Sequence, residues 1–284
     1  MTEDLARYRE WIGRKRVDED VVTPFPPRAL AATFDTPDDA PGAGDPLPPA
    51  WHWLFFLDTT RASKLSTDGL PGRGDFLPPV PLPRRMWAGN RLTFHEAPLR
   101  IGDPMRRETE IAAVEPKSGS SGTMVFITTR ARIHGPAGLA IEEEYDMVLR
   151  EAARPDETQR VPDRAPAKAD ISRTVDPDPV LLFRFSALTF NPHRIHYDQP
   201  YATTAEGYPA LVVHGPLMGL LQVELARRAR PDRRMRSFAL RARSPVFAGR
   251  PFDVQGRHEA DGSLSTWIRD PDGGQAQTGV ATYF

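Results

Sequence analysis

Pro98-Leu99-Arg100-Ile101-Gly102-Asp103-Pro104 returns 147 residues later as Pro245-Val246-Phe247-Ala248-Gly249-Arg250-Pro251. Each copy has proline at both ends, apolar residues second and fourth, and glycine fifth. An earlier pair, Ala32-Thr33-Phe34-Asp35 and Leu188-Thr189-Phe190-Asn191, recurs in the same order at an offset of 156. Two matches in one order at similar offsets point to duplication of a unit of roughly 140 residues.

Working outward, each copy is helix-bearing first and strand-rich later. In the first, Leu5, Tyr8, Trp11 and Ile12 recur at helical spacing. Thr23 to Pro49 reads mostly as loop. Trp51 to Asp58 is an apolar run that reads as helix or strand, with Pro48 and Pro49 favouring a helix start. Residues 65 to 85 read as loop. The period then drops to two, and Arg91–Leu99, Met105–Val114, Thr123–His134 and Leu139–Arg150 read as strands. Residues 151–169, charged and poor in apolar side chains, read as a linker between a unit of 1–150 and one of 170–284. In the second unit Val180 to Leu188 is apolar and Leu211 to Arg228 has helical spacing. Ser237–Ala242, Pro251–Glu259, Ser263–Asp270 and Gln275–Phe284 read as strands. The class is α+β, with a long helix on a curved antiparallel sheet in each unit.

Composition narrows the chemistry. The chain has 284 residues, 37 Lys plus Arg against 38 Asp plus Glu, and no cysteine. A net charge of −1 argues against nucleic-acid binding driven by bulk charge. The absence of cysteine removes disulfides, thiolate metal sites and thiol nucleophiles. No secretory leader or uninterrupted apolar run near 18 residues is present, so a cytoplasmic location without a membrane partner is expected. Prolines number 30, about twice the usual share.

The chemistry-bearing residues lie in the second unit. Ser186-Ala-Leu-Thr-Phe-Asn-Pro-His-Arg-Ile-His-Tyr-Asp198 holds Asn191, His193, Arg194, His196 and Asp198. Leu211-Val-Val-His214-Gly215-Pro-Leu-Met218 follows at the start of the apolar helix. His193, His196, Asp198 and His214 have metal-ligand types, but their spacing matches no strong metal motif. No metal is expected.

These two motifs resemble those of the MaoC-like hot-dog hydratases and dehydratases. The likeness is closest to the two-domain type, which acts on mesaconyl-C4-CoA, itaconyl-CoA or 3-hydroxyacyl thioesters. Pro83-Arg-Arg-Met-Trp-Ala-Gly-Asn-Arg-Leu-Thr-Phe-His95 and Pro98 to Asp103 extend the resemblance to the first half. It implies a double hot-dog fold and a hydro-lyase that adds water across an enoyl-CoA double bond. A short branched dicarboxylic acyl-CoA is the favoured substrate. A fatty-acid 3-hydroxyacyl-thioester dehydratase is the alternative. No cofactor is implied, because coenzyme A belongs to the substrate. A homodimer of double hot-dogs is compatible with the type.

The resemblance places the catalytic pair of single-domain relatives on His196 and Asn191, with asparagine where those relatives carry aspartate. A carboxamide cannot serve as a base, so His196 is expected to move the proton and Asn191 to orient the water. His214 and Gly215 mark the thioester-binding turn, with the Gly215 N–H on the carbonyl. Asp35 is expected to match Asn191 in the first unit, with Ala40 in place of the histidine, so that unit reads as degenerate. Trp51, Trp53, Phe55, Phe56 and Trp87 are candidates for a tunnel wall or for ordinary core. Arg194, Arg84 and Arg85 are candidates for a substrate carboxylate or phosphate, or for solvated loop positions. Two further readings are a non-catalytic acyl-thioester-binding module, suggested by Asn191, and a thioesterase, for which Glu224 is the one base in view.

Overall fold

The computed structural model describes residues 5–36, 40–119, 122–152 and 162–284. Residues 153–161 of the expected linker lie outside them. The first-half strands are β1 (Lys15–Val21), β2 (Arg84–Phe94), β3 (Pro104–Gly119), β4 (Gly122–Gly135) and β5 (Gly138–Arg150). Those of the second half are β6 (Ile171–Val175), β7 (Met235–Ala242), β8 (Phe252–His258), β9 (Leu264–Arg269) and β10 (Gln275–Tyr283). They form one sheet in the order β1-β3-β4-β5-β2-β7-β10-β9-β8-β6. From the centre outward each half runs second, fifth, fourth, third, first strand. The halves join where β2 pairs antiparallel with β7, from Gly89 opposite Arg241 to Thr93 opposite Ser237.

The repeated skeleton builds the same corner twice. Isolated bridges pair Pro46 with Arg100 and Val212 with Phe247. Leu47 N–H donates to Leu99 O at 2.7 Å, and Val213 N–H to Val246 O at 2.8 Å. Gly102 and Gly249 have φ of 105° and 81°, a region glycine enters without penalty. Each turns the chain toward the third strand of its half. The other repeat needs a correction of one residue. Asp35 and Phe190 share the left-handed conformation, at φ 49° and 47°. The next amides, of Thr36 and Asn191, bond to Ala31 O and Ser186 O, five residues back in each case. Asp35 therefore corresponds to Phe190, and Thr36 to Asn191.

The helices are α1 (Phe25–Phe34), α2 (Pro179–Leu188), α3 (Gln199–Thr204) and α4 (Gly215–Ala229). All four carry proline in the first turn, where the missing N–H is no loss and the fixed φ suits the helix. Helix α4 is buried on every side from Leu217 to Ala226 and packs on β7, β8, β9 and β10. Its buried leucines, Leu217, Leu220, Leu221 and Leu225, each contribute roughly 2 kcal/mol of apolar burial.

The first half departs from the expected pattern. Where α4 would have its counterpart stands a single 3-10 turn, Trp51–Leu54. The N-terminal helix is a 3-10 turn, Arg7–Trp11, followed by β1. Helix α1 occupies part of the expected loop. Strand β2 starts at Arg84, seven residues before Arg91, so Arg84, Arg85 and Trp87 lie in a strand. Among the described residues each half has five strands where the pattern indicated four. Among the described residues no helix is long and apolar enough to cross a membrane.

Candidate active site

Helix α2 delivers the first residues. Asp178 caps it by accepting from Leu181 N–H at 2.7 Å, and Ser186 lies on its buried face. After the left-handed turn at Phe190, the Asn191 side-chain oxygen accepts the His193 N–H at 3.0 Å, an Asx turn that fixes the following histidines. A 3-10 turn, Arg194–His196, follows. Asp198 then caps α3 by accepting from Tyr201 N–H at 3.0 Å. The same carboxylate takes two Arg194 nitrogens at 2.9 and 2.8 Å, so both side chains hold the loop.

Three histidines converge there. His196 is 7% exposed, and its Nδ1–H donates to Val212 O at 2.7 Å. That bond sets the tautomer and leaves the Nε2 lone pair for chemistry. The His214 ring stacks on it at 3.7 Å between centroids and 20°. The His193 ring meets it edge-on at 5.4 Å and 89°. His214 Nε2 shares a 2.8 Å hydrogen bond with the Ser186 hydroxyl, and the Phe185 ring abuts the imidazole. Burial holds all three rings neutral. It lowers the His196 pKa to about 3, with the neighbouring His193, which competes for the same proton, adding. It lowers the His193 pKa to about 4, with the Arg85 guanidinium adding. The His214 pKa falls well below the usual value for the same reason. A stacked pair and an edge contact do not point three nitrogens at one centre. Among the described residues no group of three potential ligands is placed around a metal.

His214 is the N-cap of α4 and Gly215 its first residue. The first N–H groups of a helix have no intrahelical acceptor and lie at its positive end. Pro216 removes one of them, which leaves the Gly215 amide prominent. A β-carbon at Gly215 would lie 2.5 Å from the Trp87 ring, so glycine lets the first-half indole sit on this turn. Trp87 is itself fixed: its N–H donates to Asn90 Oδ1, and Asn90 donates to Glu143. The buried Glu143 carboxylate also accepts the Trp53 N–H at 2.8 Å and pairs with His52 at 3.2 Å. Despite its burial, Glu143 has a pKa below the ordinary carboxylate value, through His52 and Trp53.

The arginines separate by partner. Arg194 is committed to Asp198, to Thr67 O at 3.1 Å and to the Tyr201 ring. Arg84 donates to the Tyr208 hydroxyl at 3.0 Å and faces Glu206 at 3.6 Å. Arg85 is buried against the Asp68–Pro71 loop, donating to Pro71 O at 2.9 Å. Trp51 and Phe55 are core, and Trp51 donates to Glu224 at 3.1 Å. Glu224 also pairs with Arg227 and Arg228, so it is engaged on α4. Trp53 and Phe56 pack against the core. A separate surface concavity, along Val21, Met105 and His134, has no part in this cluster.

Ser186, Glu143 and Asn90 carry parts of the arrangement that sequence reasoning missed. Ser186 is legible only as a lone hydroxyl on an apolar helix. Glu143 falls in Glu142-Glu143-Glu144, where only strand alternation separates the buried carboxylate from its exposed neighbours.

Residues 50–248, spanning both halves, match the family described as hydroxyacyl-thioester dehydratase type 2. The chain belongs to this family. It is 48% identical to the mesaconyl-C(4)-CoA hydratase of Chloroflexus aurantiacus over 95% of this chain and 96% of that one. It is 30% identical to the mitochondrial hydroxyacyl-thioester dehydratase type 2 of Schizosaccharomyces pombe, over 73% and 77% of the two chains. A double-hotdog protein of Mycobacterium tuberculosis superposes with a TM-score of 0.53 at 14% identity, covering 98% of both chains. The fold is a double hot-dog, and the chain is a hydro-lyase, an acyl-CoA hydratase.

Proposed function

We propose that this dehydratase-family chain hydrates a short branched dicarboxylic enoyl-CoA, with mesaconyl-C4-CoA as first choice and itaconyl-CoA as the next. His196 is the base and the Gly215 N–H the thioester donor. The observation that carries this reading is the juxtaposition of a neutral imidazole, held through Nδ1 by Val212 O, with the N-terminus of α4. The ring stack on His214 joins the two. The Gly215 N–H and the helix dipole stabilise negative charge on the thioester oxygen as the β-carbon is attacked. A preorganised donor of this kind is worth roughly 3 kcal/mol of barrier.

The proton balance closes on one histidine. Nε2 takes a proton from water as the hydroxyl adds to the β-carbon, and the electron pair of the double bond moves into an enolate. The imidazolium returns its proton to the α-carbon, giving the 3-hydroxyacyl thioester. Asn191, whose oxygen holds the His193 turn, has its amide N–H₂ left to orient the water. The reverse sequence is dehydration. No cofactor, metal, nucleic acid or membrane enters the scheme. The enzyme is read as cytoplasmic, and a homodimer of double hot-dogs is compatible with it.

The test is a hydration assay over a small panel of enoyl-CoAs with and without a second carboxylate. The expected result is fastest turnover with the branched dicarboxylic thioester. Fastest turnover of straight-chain enoyl thioesters would favour the 3-hydroxyacyl-thioester dehydratase reading.

A further inference from the structure

Strand β2 presents its site-facing residues two apart. Trp87 meets Gly215, and strand alternation turns Arg85 to the same face. In the β2–β5 register Arg85 stands opposite Leu149, Trp87 opposite Met147, and Asn90 opposite Tyr145. All six side chains therefore belong to one face of the sheet. The Arg85 side chain is only 10% exposed. Its Nη2 donates to Pro71 O at 2.9 Å. Its nearest carboxylate, Asp68, is 3.9 Å away, beyond hydrogen-bond reach. Its Nε is buried without a partner.

A guanidinium carries five N–H donors in a planar fork, and this one spends a single donor on the described residues. Leaving buried charged donors unmet is costly, so the side chain forms half of an anion site. Asp68 and Asp58 supply negative charge around it, and Arg73 adds a second cation. The loop it meets ties this guanidinium to the site: Asp68, 3.9 Å from Arg85, accepts the N–H of Arg194, the residue after His193, on its backbone oxygen at 2.9 Å, and the nearby positive charge lowers the His193 pKa further. The Tyr145 hydroxyl, on the same face, makes no hydrogen bond among the described residues. Arg194 and Arg84, by contrast, are spent on the loop carboxylates.

We infer that Arg85, with the Tyr145 hydroxyl on the same face of the sheet, binds a carboxylate carried on the β-carbon of the substrate and so sets acyl specificity. The inference rests on the hydratase reading above. In a mesaconyl-C4 thioester the carbon attacked by water carries both a methyl group and the free carboxylate. An anion at that carbon must lie next to the base, and Arg85 is the half-satisfied cation on the histidine side. A planar carboxylate matches its fork in a two-point contact that a lysine cannot reproduce. The first half, which lacks counterparts of the three site histidines, would thus choose the substrate that the second half transforms.

The experiment compares mesaconyl-C4-CoA with 3-methylcrotonyl-CoA, in which a methyl group replaces the carboxylate. The readout is the ratio of the two kcat/KM values in the full-length wild type, Arg85→Lys, Arg85→Met and Tyr145→Phe, each checked for folding by circular dichroism. Arg85→Met is expected to lower the ratio about a hundredfold, Arg85→Lys about tenfold and Tyr145→Phe several-fold. An unchanged ratio in folded Arg85→Met overturns the proposal, as does a wild type that favours the uncharged thioester. If neither Arg85 variant folds, an unchanged ratio in Tyr145→Phe overturns it. A wild type that hydrates neither thioester removes the branched dicarboxylic substrate reading on which this inference rests. A wild type that hydrates both, with a ratio indifferent to Arg85, removes only this inference.

Discussion

The two halves of the sheet share a strand order, a corner and a helix exit, yet differ at the positions proposed to carry the chemistry. The matched bridges set Pro48 against His214 and Pro49 against Gly215. Proline has no N–H, so the first half has no donor where the second presents the Gly215 N–H, the donor proposed for the thioester oxygen. Between the matched amides and the matched bridges, the second half runs from Asn191 to Val212 and the first only from Thr36 to Pro46. The first is eleven residues shorter, and the missing stretch is the one that carries His193, His196 and α3. The long helix shrinks to the turn Trp51–Leu54. What the first half keeps is wall: Trp87 on Gly215, Arg85 on the same face of β2, and the Glu143 network that holds the indole. One copy can lose its chemistry while the other depends on its surface, because the two meet across β2 and β7.

The largest expected effect is on the armed half. His196→Ala should lower kcat/KM for hydration by 10²- to 10⁴-fold, the usual range for a lost general base, with the fold retained. Asn191→Ala should cost about tenfold, since the lost group orients water and holds a turn. The reverse ranking in steady-state assays would exchange the two roles. Next comes Gly215→Ala. The added methyl must push against Trp87, and a displacement of about 1 Å at a reacting centre costs on the order of a hundredfold.

The histidine burial makes a pH prediction. The folded-state pKa values of His193 and His196, about 4 and 3, lie below the unfolded value near 6.5. Below pH 6.5 the unfolded chain binds more protons than the folded one, so stability falls as pH drops through that window toward the folded values. Each unit costs up to about 1.4 kcal/mol per histidine. Urea midpoints should fall from pH 6.5 to 4.5, and His193→Gln should flatten the slope. Hydration, whose base is already neutral, should show no acidic limb near 6.5. The smallest effect belongs to the silent half. Pro49→Gly should leave turnover within twofold and lower stability by about 1 kcal/mol, through the unfolded chain. A large loss of activity would mean that the first half does chemistry.

The sequence made the second half far more legible than the first. There the apolar spacing of Leu217, Leu220, Leu221 and Leu225 matches α4, and alternation marks four of five strands; only the short, mostly exposed β6 escaped. The candidate residues His196, His214 and Gly215 fall together because one motif and one helix start carry them. In the first half Pro24, Pro26 and Pro27 read as breakers, although a helix begins among them. The start of β2 was hidden for a physical reason. Arg84, Arg85 and Trp87 face polar loop groups and the site, so no apolar alternation marks them. The one-residue error at Asp35 arose because similar letters outweighed the left-handed turn that sets the true register.

In the proposed scheme the thioester reacts at the start of α4 and nowhere in the first half. A crystal structure with a saturated acyl-CoA, which cannot be hydrated, tests it most directly. The account predicts one acyl chain per polypeptide, its carbonyl oxygen about 3 Å from the Gly215 nitrogen and its β-carbon facing His196 Nε2. A thioester lodged at Pro48-Pro49, or bound with its acyl chain away from the histidine stack, would contradict it.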